Sequence, residues 1–114
     1  MDTITYKTKS LVREMKQHKD YKNYQKLQKK LEENQELMNR VNEYRRRSFL
    51  LHNGLDVGNL MQEVRNLRNE YQEELTNPLV MDYLIAEQSV CRMVREVSEA
   101  IAKDINLDYG FLEE

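Results

Sequence analysis

The chain has 114 residues, enough for a single core, because domains most often run to roughly 100–150 residues and longer chains split. Three Gly, one Pro, 39% hydrophobic and 33% charged residues with a net charge of −2 favour long amphipathic helices with solvated outer faces over strands and tight turns. One Cys excludes an intrachain disulfide framework, no apolar run approaches the roughly 18 residues of a membrane span, and the N-terminus lacks the apolar core of a signal peptide, so a reducing, cytoplasmic address is expected.

Ile4, Leu11, Val12 and Met15 fall at loose helical intervals and predict a first helix over about residues 3–18, with Thr3 or Thr5 available as its N-cap. Asp20 can cap a second helix, in which Tyr24, Leu27 and Leu31 recur at steps of three and four. Residues 1–30 carry a net charge of +6 and residues 31–114 carry −8, so a cationic N-terminal arm is joined to an acidic body. Such asymmetry can mark a surface for nucleic acid or an acidic partner, or it can be a solvated face that neutralises the molecule's own acids.

The polar run Glu32 to Glu36 predicts a break, with Asn34 capping a third helix that carries Leu37, Val41, Tyr44 and Leu51 along one side. Asn53-Gly54 should end it, since Gly accepts the left-handed conformation that closes helices, and Asp56 can cap the next. From about residue 57, Leu60, Val64, Leu67 and Tyr71 step by four, three and four, the alternation of a coiled-coil seam, and Leu75 extends it. Thr76-Asn77-Pro78 marks the sharpest boundary, because the residue before Pro is pushed out of the α region while Pro suits the first helical position. The last helix is predicted from Pro78 to about Asn106, with Val80, Tyr83, Leu84, Val90, Cys91, Val94, Val97, Ile101 and Ile105 forming a broad apolar stripe. Leu107, Tyr109, Phe111 and Leu112 follow as an apolar-acidic tail.

The fold expected is all-α: long antiparallel helices forming a hairpin or bundle, completed by homodimerisation. Residues 1–114 read as a single helical domain, with an arm over 1–33, a core over 35–106 and a tail over 107–114. No phosphate-cradling, zinc-protease, nucleophile-elbow or paired-Cys motif is present, which speaks against common enzyme classes. His18 and His52 read as surface residues, Cys91 as a small buried hydrophobe, and Glu63, Glu70, Glu73 and Glu74 as a solvated face, lacking the Glu-x-x-His companion of di-metal bundles. Arg45-Arg46-Arg47 can grip phosphates or an acidic partner, although three consecutive helical residues fan over about 200°.

The stretch from Leu67 to Gln88, above all Asn77-Pro78-Leu79-Val80 followed by Tyr83-Leu84 and Ala86-Glu87, resembles the YlbF/YmcA family, as does the tail from Asp104 to Glu113. Before residue 60 the likeness rests on helix pattern. It implies an all-helical protein that pairs into a homodimer or larger assembly. Family members regulate competence, sporulation and biofilm formation in Gram-positive bacteria, and better-studied ones work with other regulatory proteins in a complex that contacts the ribonuclease Y machinery and alters RNA processing. Some hold an iron–sulfur cluster through a Cys-rich C-terminal region. Here residues 104–114 contain no Cys and Cys91 stands alone, a departure from that pattern, so no cofactor is expected.

Two functions follow. The leading one is a non-enzymatic regulatory adaptor with an oligomer interface over Leu60, Val64, Leu67, Tyr71, Val80, Tyr83, Leu84 and Val94. The other is direct nucleic-acid binding through Lys16, Lys19, Lys22, Lys26, Lys29 and Lys30 with Arg45, Arg46 and Arg47; Lys22, Lys26, Lys30 and the three arginines are the candidate partner surface in either case.

Overall fold

The computed structural model describes residues 2–54 and 58–106, and among these every regular element is a helix: α1 (Asp2–Gln17), α2 (Lys19–Glu32), α3 (Gln35–Asn53), α4 (Leu60–Glu70), α5 (Gln72–Leu75) and α6 (Pro78–Ile105). The expected cap at Asp56 and the tail residues Leu107, Tyr109, Phe111 and Leu112 lie outside the described residues.

Asparagine sets most of the boundaries. Asn34, Asn59 and Asn77 each turn a side-chain oxygen onto an unpaired amide of the first turn, at 3.1 Å to Leu37 N, 3.2 Å to Gln62 N and 2.9 Å to Leu79 N, so one of the donors that a helix start leaves orphaned is satisfied locally. Pro78 occupies the first turn of α6, where its missing N–H costs nothing. At the other end Asn106 adopts the left-handed conformation (φ 68°, ψ 41°), which Asn tolerates better than most residues, and closes α6.

Other boundaries depart from the sequence reading. α1 starts at Asp2, so Thr3 and Thr5 lie inside it and do not cap it. The cap of α2 is His18, not Asp20: His18 is extended (φ −65°, ψ 143°) and its Nδ1 accepts from the Asp20 amide at 3.1 Å, leaving Asp20 in the first turn, where its charge suits the helix dipole. α3 does end at Asn53, but Gly54 is extended (φ −71°, ψ 145°), not left-handed. α4 begins at Leu60, three residues later than the expected start, because Asn59 supplies the cap. The expected continuous seam from Leu60 to Leu75 is interrupted at Tyr71 (φ −108°, ψ 22°), which separates α4 from the single turn of α5.

The core forms where α2 lies along the first part of α6 and α3 closes over both. Leu31, Met38, Val41, Val80 and Tyr83 are buried together, and Tyr24, Leu27, Leu37, Leu79 and Leu84 pack around them. Leu67 and Tyr71 are buried where α4 meets α3. Ala86, also buried on α6, presents only a methyl, which allows close approach of the neighbouring helix.

The stripe on α6 is continuous in sequence yet only partly covered. α6 has 28 residues and α2 has 14, about 42 Å against about 21 Å, so the covering helix runs out half-way. Cys91 is exposed for this reason, and the expectation that it is buried is corrected. Val94 (48%), Ile101 (49%) and Ile105 (64%) remain open to solvent. α1 buries none of its residues, and its main contact is with α2.

Placing the core here has a measurable consequence. Leu31→Ala should lower the unfolding free energy by about 2–5 kcal/mol, the range for deleting a fully buried Leu, whereas Met61→Ala, at an exposed position of α4, should change it by no more than about 0.5 kcal/mol. Urea denaturation followed by circular dichroism measures both; equal losses would place the core elsewhere.

Candidate interaction surfaces

The arginine triplet is divided by helix geometry. Successive residues on α3 turn by about 100°, so Arg45 points to α6, Arg47 to α4, and Arg46 between them is exposed. Arg45 pairs with Glu87, and its guanidinium lies 5.4 Å from the centroid of the Tyr83 ring. Tyr83 in turn stacks on Tyr24 with centroids 5.4 Å apart and the two hydroxyls 3.4 Å apart. Burial, reinforced by the Tyr24 hydroxyl, holds the Tyr83 phenol well above the usual tyrosine range.

Tyr71 organises a second cluster. Its hydroxyl donates to Glu43 Oε1 at 2.5 Å and accepts from Arg47 Nη1 at 3.2 Å. Its ring meets Tyr44 edge-on with centroids 5.6 Å apart, and the guanidiniums of Arg40 and Arg47 stand 4.4 Å and 5.6 Å from its centroid. Arg47 also pairs with Glu70, and Arg40 reaches Glu74 at 3.5 Å. Burial, then the hydrogen bond to Glu43, raises the Tyr71 phenol, while the hydrogen bond from Arg47 lowers the Glu70 carboxyl. At neutral pH these phenols stay protonated and Glu70 stays ionised, so the two clusters are fixed charge pairs that join α3 to α4 and to α6.

The positions expected at an oligomer interface fall into two sets. Leu67, Tyr71, Val80 and Tyr83 are buried within the chain, and Val64 and Leu84 are half-buried. Leu60 and Val94 are exposed. Two further apolar groups surface with them: Ile4, Leu11 and Val12 on α1, and Ile101 and Ile105 at the end of α6. Phe49, Leu50 and Met61 are also exposed, on the segments that flank residues 55–57. Lys22, Lys26 and Lys30 are exposed and form no ion pair among the described residues. The candidate cationic surface is thereby reduced: Arg45 and Arg47 are engaged by Glu87 and Glu70 of the same chain, and Arg46 and the lysines of α2 remain.

Sequence reasoning missed Arg40 and the four partners Glu43, Glu70, Glu74 and Glu87, having assigned the acids of α4 and α5 to a solvated face. Their only sequence signal is the alternation of Arg on α3 with Glu on α4 and α6, which identifies no pair until the helices are docked. The grooves among these helices are shallow and open; one is lined by Arg47, Leu51, Glu63, Asn66, Leu67 and Glu70.

No helix among the described residues is long and apolar enough to cross a membrane. The described residues define a small helical protein that leaves charged and apolar faces uncovered, with Arg40, Arg45 and Arg47 committed to holding one helix on the next. The family model described as control of the competence regulator ComK, YlbF/YmcA, matches residues 4–106, and the chain belongs to that family of regulators. Neither the curated proteins nor the solved structures contain a match to it.

The Arg47–Glu70 pair sets a pH dependence. A carboxyl held below its ordinary value of 4.5 contributes stability that is complete above that value and is lost as pH falls through the lowered one. Lowering the pH from 6 towards 3 should therefore lower the denaturation midpoint, and Arg47→Gln should flatten that dependence, with wild type and variant differing most above pH 5. Parallel midpoint-against-pH curves would mean that the pair makes no contribution.

Proposed function

We propose that this protein is a non-enzymatic adaptor that acts as a homodimer, its partners being other regulatory proteins in the control of competence, sporulation, biofilm formation and RNA processing. Membership of the YlbF/YmcA family supports the regulatory role. The observation that supports an adaptor built from two copies is the surface left uncovered by one. The radius of gyration is 17.7 Å, against about 13 Å for a compact chain of this length. The accessible surface of 9379 Å² compares with roughly 6,600 Å² for a compact monomer of this mass. The difference is well above the ~800 Å² per partner that a standard interface buries.

The second copy covers α1 and the end of α6. On α1, Ile4, Leu11 and Met15 share one side, and on α6 Val94, Val97, Ile101 and Ile105 step by three, four and four along another. Neither stripe contributes a fully buried residue in one chain. Exposed apolar patches of this extent mark interfaces, and a two-fold arrangement satisfies both copies with the same residues. Within each copy α3 and α4 run antiparallel, a reading supported by the succession of pairs Arg40 with Glu74, Glu43 with Tyr71 and Arg47 with Glu70.

Light scattering coupled to size-exclusion chromatography tests the dimer. Wild type should elute with twice the chain mass, and Ile101→Glu, at a position half open to solvent, should elute as a monomer with its helical circular dichroism intact. A monomeric wild type, or a variant that stays dimeric, would remove the basis for this reading.

A further inference from the structure

The lysines of α2 are arranged in a way that the adaptor reading does not use. Lys19, Lys22, Lys26, Lys29 and Lys30 are all exposed. At 100° per residue they fall within an arc of about 100°, on the side turned away from Tyr24, Leu27 and Leu31. Both acidic residues of the helix, Asp20 and Glu32, lie outside that arc. The result is a straight cationic stripe about 16 Å long on a helix whose opposite side is held by the core.

Solubilising surfaces commonly intersperse both signs of charge, whereas this face carries one. Here Lys19–Lys22, Lys22–Lys26, Lys26–Lys29 and Lys26–Lys30 are like-charged neighbours three or four residues apart, and each such pair opposes the helix that carries it. The acidic body does not relieve the repulsion: none of these lysines is ion-paired among the described residues, whereas Arg40, Arg45 and Arg47 each have a carboxylate. Arg40, Arg45 and Arg47 thus serve pairs within the chain, whereas the lysines of α2 face outward.

We propose that the Lys19–Lys30 stripe of α2 binds a nucleic-acid strand through its phosphates. Each lysine of the stripe can neutralise one phosphate, so the five set an upper limit of about five on the counterions that binding releases. The arc contains no aromatic side chain to stack on bases and no arginine to read a base edge, so contact is confined to the backbone and independent of sequence.

Fluorescence anisotropy of the full chain with two labelled single-stranded RNAs, about 20 nucleotides long and unrelated in sequence, tests the proposal. Both should bind alike at low salt, and log K should fall against log salt with a slope of about −3.5, at about 0.7 for each neutralised phosphate. Replacing Lys22, Lys26, Lys29 and Lys30 together by Gln should cut the slope to about −0.7 and weaken binding at low salt at least a hundredfold, with circular dichroism unchanged because all four are exposed. Arg65→Gln, at an exposed cation of α4, should bind as wild type does. Absence of binding at low salt, a slope near zero, or retention of affinity by the quadruple variant would overturn the proposal. So would tighter binding of a polyglutamate peptide than of either RNA, which would assign the stripe to an acidic protein.

Discussion

The arrangement depends on the meeting of Leu31 and Val41 with Val80 and Tyr83, where α2 and α3 close on the start of α6. Each of these side chains contributes about 1.5–3 kcal/mol by leaving water, and no other group of this size is buried among the described residues. A core this small cannot order three helices without help at its margins. Asn77 and Pro78 supply part of it by fixing where α6 begins, so that Val80 and Tyr83 enter the core together one turn into the helix. Asn34 does the same for α3, placing Met38 and Val41 one turn and two turns from the cap.

The remainder comes from charge, used in two distinct ways. Around the core Arg40, Arg45 and Arg47 of α3 are neutralised by glutamates of α5, α6 and α4, and the aromatic rings of Tyr71 and Tyr83 hold the guanidiniums in place. Half-exposed pairs of this kind contribute little singly. Their importance is geometric: they turn the 200° spread of Arg45 and Arg47 into a fixed angle between α3 and its two neighbours. The lysines of α2 take no part in these pairs among the described residues.

Much of the fold was legible in sequence because helix caps are local. Asn34, Asn53 and Asn77-Pro78 mark real ends, since the side chain that signals each end also makes its hydrogen bond within three residues or sits beside it. The same locality misled at His18, where an imidazole nitrogen does what the nearby Asp20 was expected to do. Three features were not legible, and each is tertiary. The break at Tyr71 coincides with a phenol bound to Glu43 and Arg47 on another helix, which no helical period records. The exposure of Cys91 depends on how far α2 extends along α6. Met38 and Ala86 are buried because a neighbouring helix lies against them, not because the pattern around them is strongly apolar.

The uncovered faces do not coincide. The apolar residues offered to a second copy lie on α1 and on the last third of α6, whereas the lysine stripe lies on α2, on the side turned away from α6. In the dimer proposed above, pairing through the first would leave the second open in both copies. A weak electrostatic contact repeated on one rigid body gains from effective concentration, because the second engagement follows the first without a new encounter. The proposed dimer and the proposed strand-binding stripe would then account together for the division of the surface into an apolar and a cationic region: dimerisation would cover the former and make the latter bivalent.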